Sequence, residues 1–136
     1  MGAKIFLGLN ALIFVGYGLV CLASPAVVAQ QTGMQLATGV AAAEVRAMYG
    51  GLQIAVGLLA LAGIVRPALQ PAVLLALVFL FFGLASGRLV GILVEPDPGA
   101  YNLTAVVFES LFGAFSAWLL ARGAQPLRVT ERSQAT

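Results

Sequence analysis

Apolar residues run along this chain in four long blocks, and the short stretches between them hold most of the proline and polar punctuation. A membrane-spanning helix needs about 20 predominantly apolar residues, and all four blocks reach that length. The first covers 4–23 and carries no charge after Lys4. Ser24-Pro25 ends it, because a proline pushes the residue before it out of helical geometry. The second covers 44–65, with no charge after Arg46 until Arg66. The third covers 68–94 and is interrupted only by Arg88. Pro71 falls in its first turn, where the missing N–H would be unpaired in any case, and Pro96 and Pro98 bar its continuation past Glu95. The fourth covers 102–121 and is interrupted only by Glu109. The pattern predicts an all-α, integral membrane four-helix bundle. It forms one domain over 1–122, followed by a flexible polar tail over 123–136.

Residues 25–43 are uncharged but too broken to make a fifth span. Ser24 followed by Pro25 is a helix-start signal, and Ala26–Ala29 suit one or two turns before Gln30, Gln31 and Gly33. The segment reads as a short interfacial helix and loop over one mouth of the bundle, either a plain connection or a lid on a pocket. The first span also has the outline of a signal peptide. Its apolar core is long and Cys21-Leu22-Ala23 is a poor cleavage site, so it is expected to remain.

Composition narrows the chemistry. The chain is 61% hydrophobic and 9% charged, against about 45–50% and 25% in soluble domains. There is no His, so imidazole metal ligands, His-ligated haem and a Ser-His-Asp triad are excluded. Cys21 alone permits no internal disulfide and no thiolate cluster. Lys4 is the only lysine and lies at the membrane edge, so a retinal Schiff base is excluded, and no phosphate-binding Gly-rich loop is present. No cofactor or metal is expected. The net charge of +2 is spread among apolar segments rather than gathered in a patch, which argues against nucleic acid.

The positions of the charges carry more information. Lys4, Arg66, Arg122, Arg128 and Arg132 all fall at the ends that hold the termini and the second loop, whereas the first and third loops lack Lys and Arg. The positive-inside rule then puts both termini in the cytoplasm. Apart from Glu131 of the tail, the remaining charges (Glu44, Arg46, Arg88, Glu95, Asp97 and Glu109) all belong to the outer half. Arg88 precedes Glu95 by seven residues and Glu109 follows Asn102 by seven, so each lies roughly 10 Å below the outer boundary on antiparallel neighbours. A single charge near a span's centre costs about 2.5–3.5 kcal/mol to insert. Opposite charges at one depth are cheapest as a pair, and an Arg88–Glu109 contact is expected.

Arg46, Tyr49 and Gln53 are spaced by three and four and share one face of an α-helix. Tyr17 lies near their depth, while Asn10 is nearer the cytoplasmic side and belongs to another contact. Glu44 stands at the start of the second span, where it serves either the helix dipole or chemistry. Small residues recur every fourth position at Gly83, Gly87 and Gly91, at Ala47, Gly51 and Ala55, and at Gly113, Ala117 and Ala121. Such rows let helices approach closely in lipid. They serve packing within one protomer or, for the first and third rows, contacts in a homo-oligomer. The third row extends back to Glu109, which turns that carboxylate toward a neighbouring helix. Phe79, Phe81 and Phe82 face lipid or neighbouring helices rather than forming a cofactor box, and Trp118 suits the aromatic belt.

The stretch Glu44-Val45-Arg46-Ala47-Met48-Tyr49-Gly50-Gly51-Leu52-Gln53, followed by Gly57, resembles the signature of a family of small bacterial four-helix membrane proteins known only as a domain of unknown function. Gly83–Leu89, the acidic loop after the third span and Glu109 resemble the rest of its pattern, which covers nearly the whole chain. The resemblance implies a four-span fold in the bacterial inner membrane and brings no activity. Its motif residues Glu44, Arg46, Tyr49, Gly50, Gly51, Arg88 and Glu109 are the natural functional candidates.

Four roles compete for the polar cluster. In the first, Arg88, Glu109, Arg46 and Tyr49 form a buried network that sets helix register, in a structural protein or the subunit of a complex. Alternatively, Arg46 and Arg88 hold the phosphate or carboxylate of a lipid-like or small hydrophobic anionic ligand, with Tyr17, Tyr49, Gln53 and apolar walls around its body. A third role is a small membrane isomerase, cyclase or epoxide-opening enzyme with Glu109 as acid or base. The fourth, proton-coupled export, suits the chain least: small four-span exporters carry a glutamate in the first span, which here is uncharged after Lys4.

Overall fold

The computed structural model describes residues 1–95 and 99–123. Asp97 and nearly all of the expected tail, with Arg128, Glu131 and Arg132, lie outside the described residues. Each helix begins and ends where backbone chemistry directs it. Helix α1 (Gly2–Ala23) stops at Ser24, whose backbone leaves the helical region at φ −134°, ψ 86° before Pro25. Pro25 opens the short helix α2 (Ala26–Thr32), closed by Gly33 in the left-handed conformation at φ 73°, a backbone state that favours glycine.

The second span starts earlier than its charge pattern suggests. It runs Gly39–Val65 as α3 (Gly39–Val45), a π-helical turn (Arg46–Gly51) and α4 (Leu52–Val65). Thr38 is its N-cap, its hydroxyl accepting the Ala41 N–H at 3.1 Å. Gly39 to Ala43 are small and uncharged and join the helix freely, so the expected start at Glu44 is corrected by five residues. In the π turn the Leu52 N–H reaches back to the Ala47 carbonyl, five residues behind it rather than four. Arg66 breaks the span ahead of Pro67. A single 3-10 turn leads into α5 (Gln70–Val94), which ends at an extended Glu95, and α6 (Gly99–Gly123) is the last described element.

All the described regular structure is helical, and four helices are long and apolar enough to cross a membrane. The outside of the bundle is correspondingly greasy: Leu12 is 74% exposed and Phe79 71%, a surface suited to acyl chains and not to water. The chain is a multi-pass membrane protein with a four-helix fold.

The spans associate as two close pairs. Along α1 and the second span, glycines bring backbones together. A Cβ at Gly57 would lie 2.9 Å from the Val15 nitrogen, and one at Gly18 would lie 2.8 Å from the Gly50 carbonyl oxygen. On the other side, α5 and α6 meet where Gly113 faces Phe81 and Phe82. The rows of small residues are thus redistributed. Gly113 packs inside the protomer, whereas Cβ atoms at Gly83, Gly87 and Gly91 would meet nothing within 4 Å, and Ala47, Gly51 and Ala55 are exposed. Intramolecular packing in the second span belongs to Gly50, Gly57 and Gly63, out of step with the expected row.

The two pairs join through a core toward the end where α1 begins and α6 ends. Phe6, Leu7, Ala11 and Phe14 of α1 pack there with Ala60, Val73, Leu74, Leu77, Phe81 and Leu119. The rings of Phe6, Phe112, Phe108, Phe81 and Phe14 are in edge or tilted contact. Toward the opposite end a smaller cluster of Cys21, Val28 and Val45 fastens α2 to the first pair, with Tyr17, Leu36 and Tyr49 against it.

Candidate functional site

Beside the aromatic core, between the two helix pairs, lies an open-sided cavity of about 400 Å³. All four spans contribute to it. Ile13, Phe14 and Tyr17 come from α1, and Tyr49, Leu52, Gln53 and Val56 from the second span. Leu80, Phe81, Leu84 and Arg88 come from α5, and Tyr101, Ala105, Phe108 and Glu109 from α6. Phe14, Phe81 and Phe108 of the aromatic core supply part of its wall.

Arg88 and Glu109 meet as their matched depths require: Nε donates to Glu109 Oε1 at 2.8 Å. The side chains are 23% and 6% exposed, so both are largely withdrawn from the surroundings. Two further α6 residues hold the guanidinium. Arg88 Nη1 donates to Asn102 Oδ1 at 3.0 Å, and the Tyr101 ring lies 5.3 Å from Arg88 Cζ. Tyr101 and Asn102 precede Phe108 and Glu109 by seven residues, two helical turns that set them on the same face. That spacing was available in the sequence, but Asn102 served there only to mark where the span begins.

The second oxygen of the carboxylate differs from the first. Glu109 Oε2 is buried and has no hydrogen-bond partner among the described residues. A charged acceptor out of water normally gathers donors. Asn10 Oδ1 is also unpartnered, but the Asn10 amide donates to the Phe6 carbonyl of its own helix at 2.8 Å, and Asn10 does not line the cavity.

The second-span candidates part company. Tyr49 and Gln53 line the cavity. Arg46 does not: it is exposed, and its Nε donates to the Leu22 carbonyl at 3.1 Å. The π turn between them changes the angular step, so the three-and-four spacing no longer keeps all three on one face. The two-arginine clamp expected for an anion is therefore not assembled. Glu44 is also exposed and away from the cavity, and its expected place at the helix start is taken by Thr38. Tyr17 lines the cavity and donates through its hydroxyl to Gln31 Oε1 of α2 at 3.1 Å, so the short helix is tethered to the cavity wall.

The aromatic candidates separate too. Phe81 is fully buried, while Phe79 and Phe82 are exposed. Trp118, near the other end of α6, is 44% exposed and stacks with Phe115 and under the Arg122 guanidinium, 3.9 Å from its ring centre. Among the described residues no group of His, Cys, Asp or Glu is placed to hold a metal ion.

No curated protein and no solved structure matches the chain. Residues 2–120 match a domain family of unknown function, DUF4345. A match over nearly the whole length, carried on a four-helix membrane fold, makes this chain a member of the DUF4345 family.

Proposed function

We propose that this protein binds a small hydrophobic or lipid-like molecule inside the membrane, in the cavity between its two helix pairs. The observation that carries the reading is a chamber of mostly apolar walls into which the polar side chains of Tyr17, Tyr49, Gln53, Arg88 and Glu109 are also built. Small-molecule sites have volumes of roughly 300–1,000 Å³ and this mixture of apolar wall and few polar groups. An ion pair serving only to set helix register needs no empty volume beside it, and well-packed interiors leave few voids larger than a water molecule.

The test fills the chamber without touching the ion pair. Ala105 lines the cavity, and Ala105→Phe would occupy it. Gently extracted wild-type protein is expected to carry a stoichiometric non-protein mass in native mass spectrometry, and the variant to lack it. Wild-type protein free of any such mass, and indistinguishable from Ala105→Phe, would overturn the reading.

The proposal includes a place in the bacterial inner membrane with both termini in the cytoplasm. Lys4 near the start of α1, Arg66 at the end of the second span and Arg122 in the last turn of α6 support it, because antiparallel spans bring these three to one end. The cavity then opens in the outer half. A cysteine introduced as Glu95→Cys is expected to react with an impermeant thiol reagent from the periplasmic side, with native Cys21 silent because it is buried. Labelling only after the cytoplasmic face is opened would invert the topology.

A further inference from the structure

We propose that the cavity takes the acyl chain of a bilayer lipid, admitted sideways through a membrane-facing slot between the second span and α5. The inference rests on the reading of the cavity as a binding site, and names the occupant and the route by which it arrives.

The two seams between the helix pairs differ. Along one, α1 faces α6. Phe6 sets its ring against Phe112 and Phe115, and nearer the cavity Tyr17 and Tyr101 interact across the seam. Every cavity residue from these two helices is buried or half-buried. Along the other seam, the second span faces α5. A Cβ at Gly63 would meet Val73 Cγ2 there at 3.3 Å, close to the turn that joins the two helices. Further from that turn the cavity wall itself comes to the surface: Met48 is 53% exposed, Leu52 44% and Leu84 39%. Among the described residues that line the cavity, only these three are exposed. All three are apolar, and what surrounds a membrane span is hydrocarbon. Water or a polar headgroup would meet no hydrogen-bond partner on these side chains and would lose its own. A lipid tail loses nothing, because the slot offers it the same kind of surface as the outside of the bundle. Inside, Val56, Leu80 and Phe108 continue the apolar wall. An open-sided apolar space forfeits dispersion contacts unless a chain fills it, and the tail can enter while its headgroup stays at the membrane boundary.

The experiment places the protein in nanodiscs of phosphatidylcholine that carries a diazirine on one acyl chain. After photolysis, peptide mass spectrometry reads adducts at Val56 and Phe108 inside the cavity, normalised to adducts at Phe79, which is 71% exposed on the outside. The wild-type protein is expected to carry the inner adducts, and Ala105→Phe to lose them. Two further variants test the route. Gly87 follows Leu84 by three positions and Gly16 follows Ile13 by three, so each adjoins a cavity residue on its own helix. Both glycines are exposed, and a Cβ on either would meet nothing within 4 Å. A helical side chain leans over the turn before it. Gly87→Trp therefore covers the slot beside Leu84, and Gly16→Trp covers the flank of the opposite seam beside Ile13. Gly87→Trp is expected to reduce the inner adducts to the level of Ala105→Phe, and Gly16→Trp to leave them as in the wild type.

Adducts confined to the outer surface of a wild-type protein that still carries a co-purified mass would overturn the acyl-chain inference and leave the binding reading standing. Loss of the inner adducts in Gly16→Trp but not in Gly87→Trp would overturn the slot in favour of the other seam. Neither inner adducts nor a co-purified mass would sink both readings. Should Gly87→Trp fail to fold, Gly83→Trp, one turn earlier and equally open, takes its place with the same expected loss.

Discussion

Alanine in place of Arg88 is expected to cost about 3–5 kcal/mol of stability, the usual penalty for stranding one member of a buried ion pair. Glu109 would be left in a site only 6% exposed, with neither oxygen answered by Arg88. Asn102 would lose the guanidinium at the same time. The loss should appear as a lower unfolding midpoint when the protein is titrated with a denaturing detergent from a mild one. The double variant Arg88→Leu with Glu109→Leu is the control: apolar replacement of both members is often neutral or stabilising, so it should recover most of the loss. A single Arg88→Ala that unfolds like the wild type would mean the pair contributes nothing to holding α5 against α6.

Much of this arrangement was legible in the sequence, and the reason is the solvent. Lipid leaves so few places for a charge that Arg88 and Glu109, each seven residues from a span end, had one economical solution. The four spans were readable for the same reason. Other features depend on backbone detail that hydropathy does not encode. The π turn at Arg46–Gly51 leaves no trace in the apolar pattern, yet it separates Arg46 from Tyr49 and Gln53. The earlier start at Gly39 was hidden because 39–43 is small and uncharged, equally at home in a loop or a helix. The cavity itself was only half visible: Tyr17, Tyr49, Gln53, Arg88 and Glu109 could be named. Tyr101 and the walls at Leu84, Ala105 and Phe108 could not, since one apolar residue looks like another until the helices are placed.

The glycines give the second large effect. Gly57→Ala is expected to destabilise the bundle by roughly 1–3 kcal/mol. The new Cβ would lie 2.5 Å from Val15 Cγ2, 2.9 Å from the Val15 nitrogen and 3.1 Å from the Ala11 carbonyl oxygen. The methyl group of Val15 could turn away, but the two backbone atoms move only if α1 does. Gly87→Ala is the matching control, since its Cβ meets nothing within 4 Å and alanine favours the helix by up to about 1 kcal/mol. The two variants should therefore shift the detergent unfolding midpoint in opposite directions, or leave the second unmoved. If Gly87→Ala proved the more damaging, the outward row on α5 would have to be packed against something beyond the protomer.

Arg88 and Glu109 together carry no net charge, which has an electrical consequence. Moving one elementary charge across a membrane potential involves about 2.3 kcal/mol per 100 mV. Two opposite charges held at one depth displace no net charge when α5 and α6 shift together. Such a shift would then proceed equally well in an energised cell and in a depolarised one.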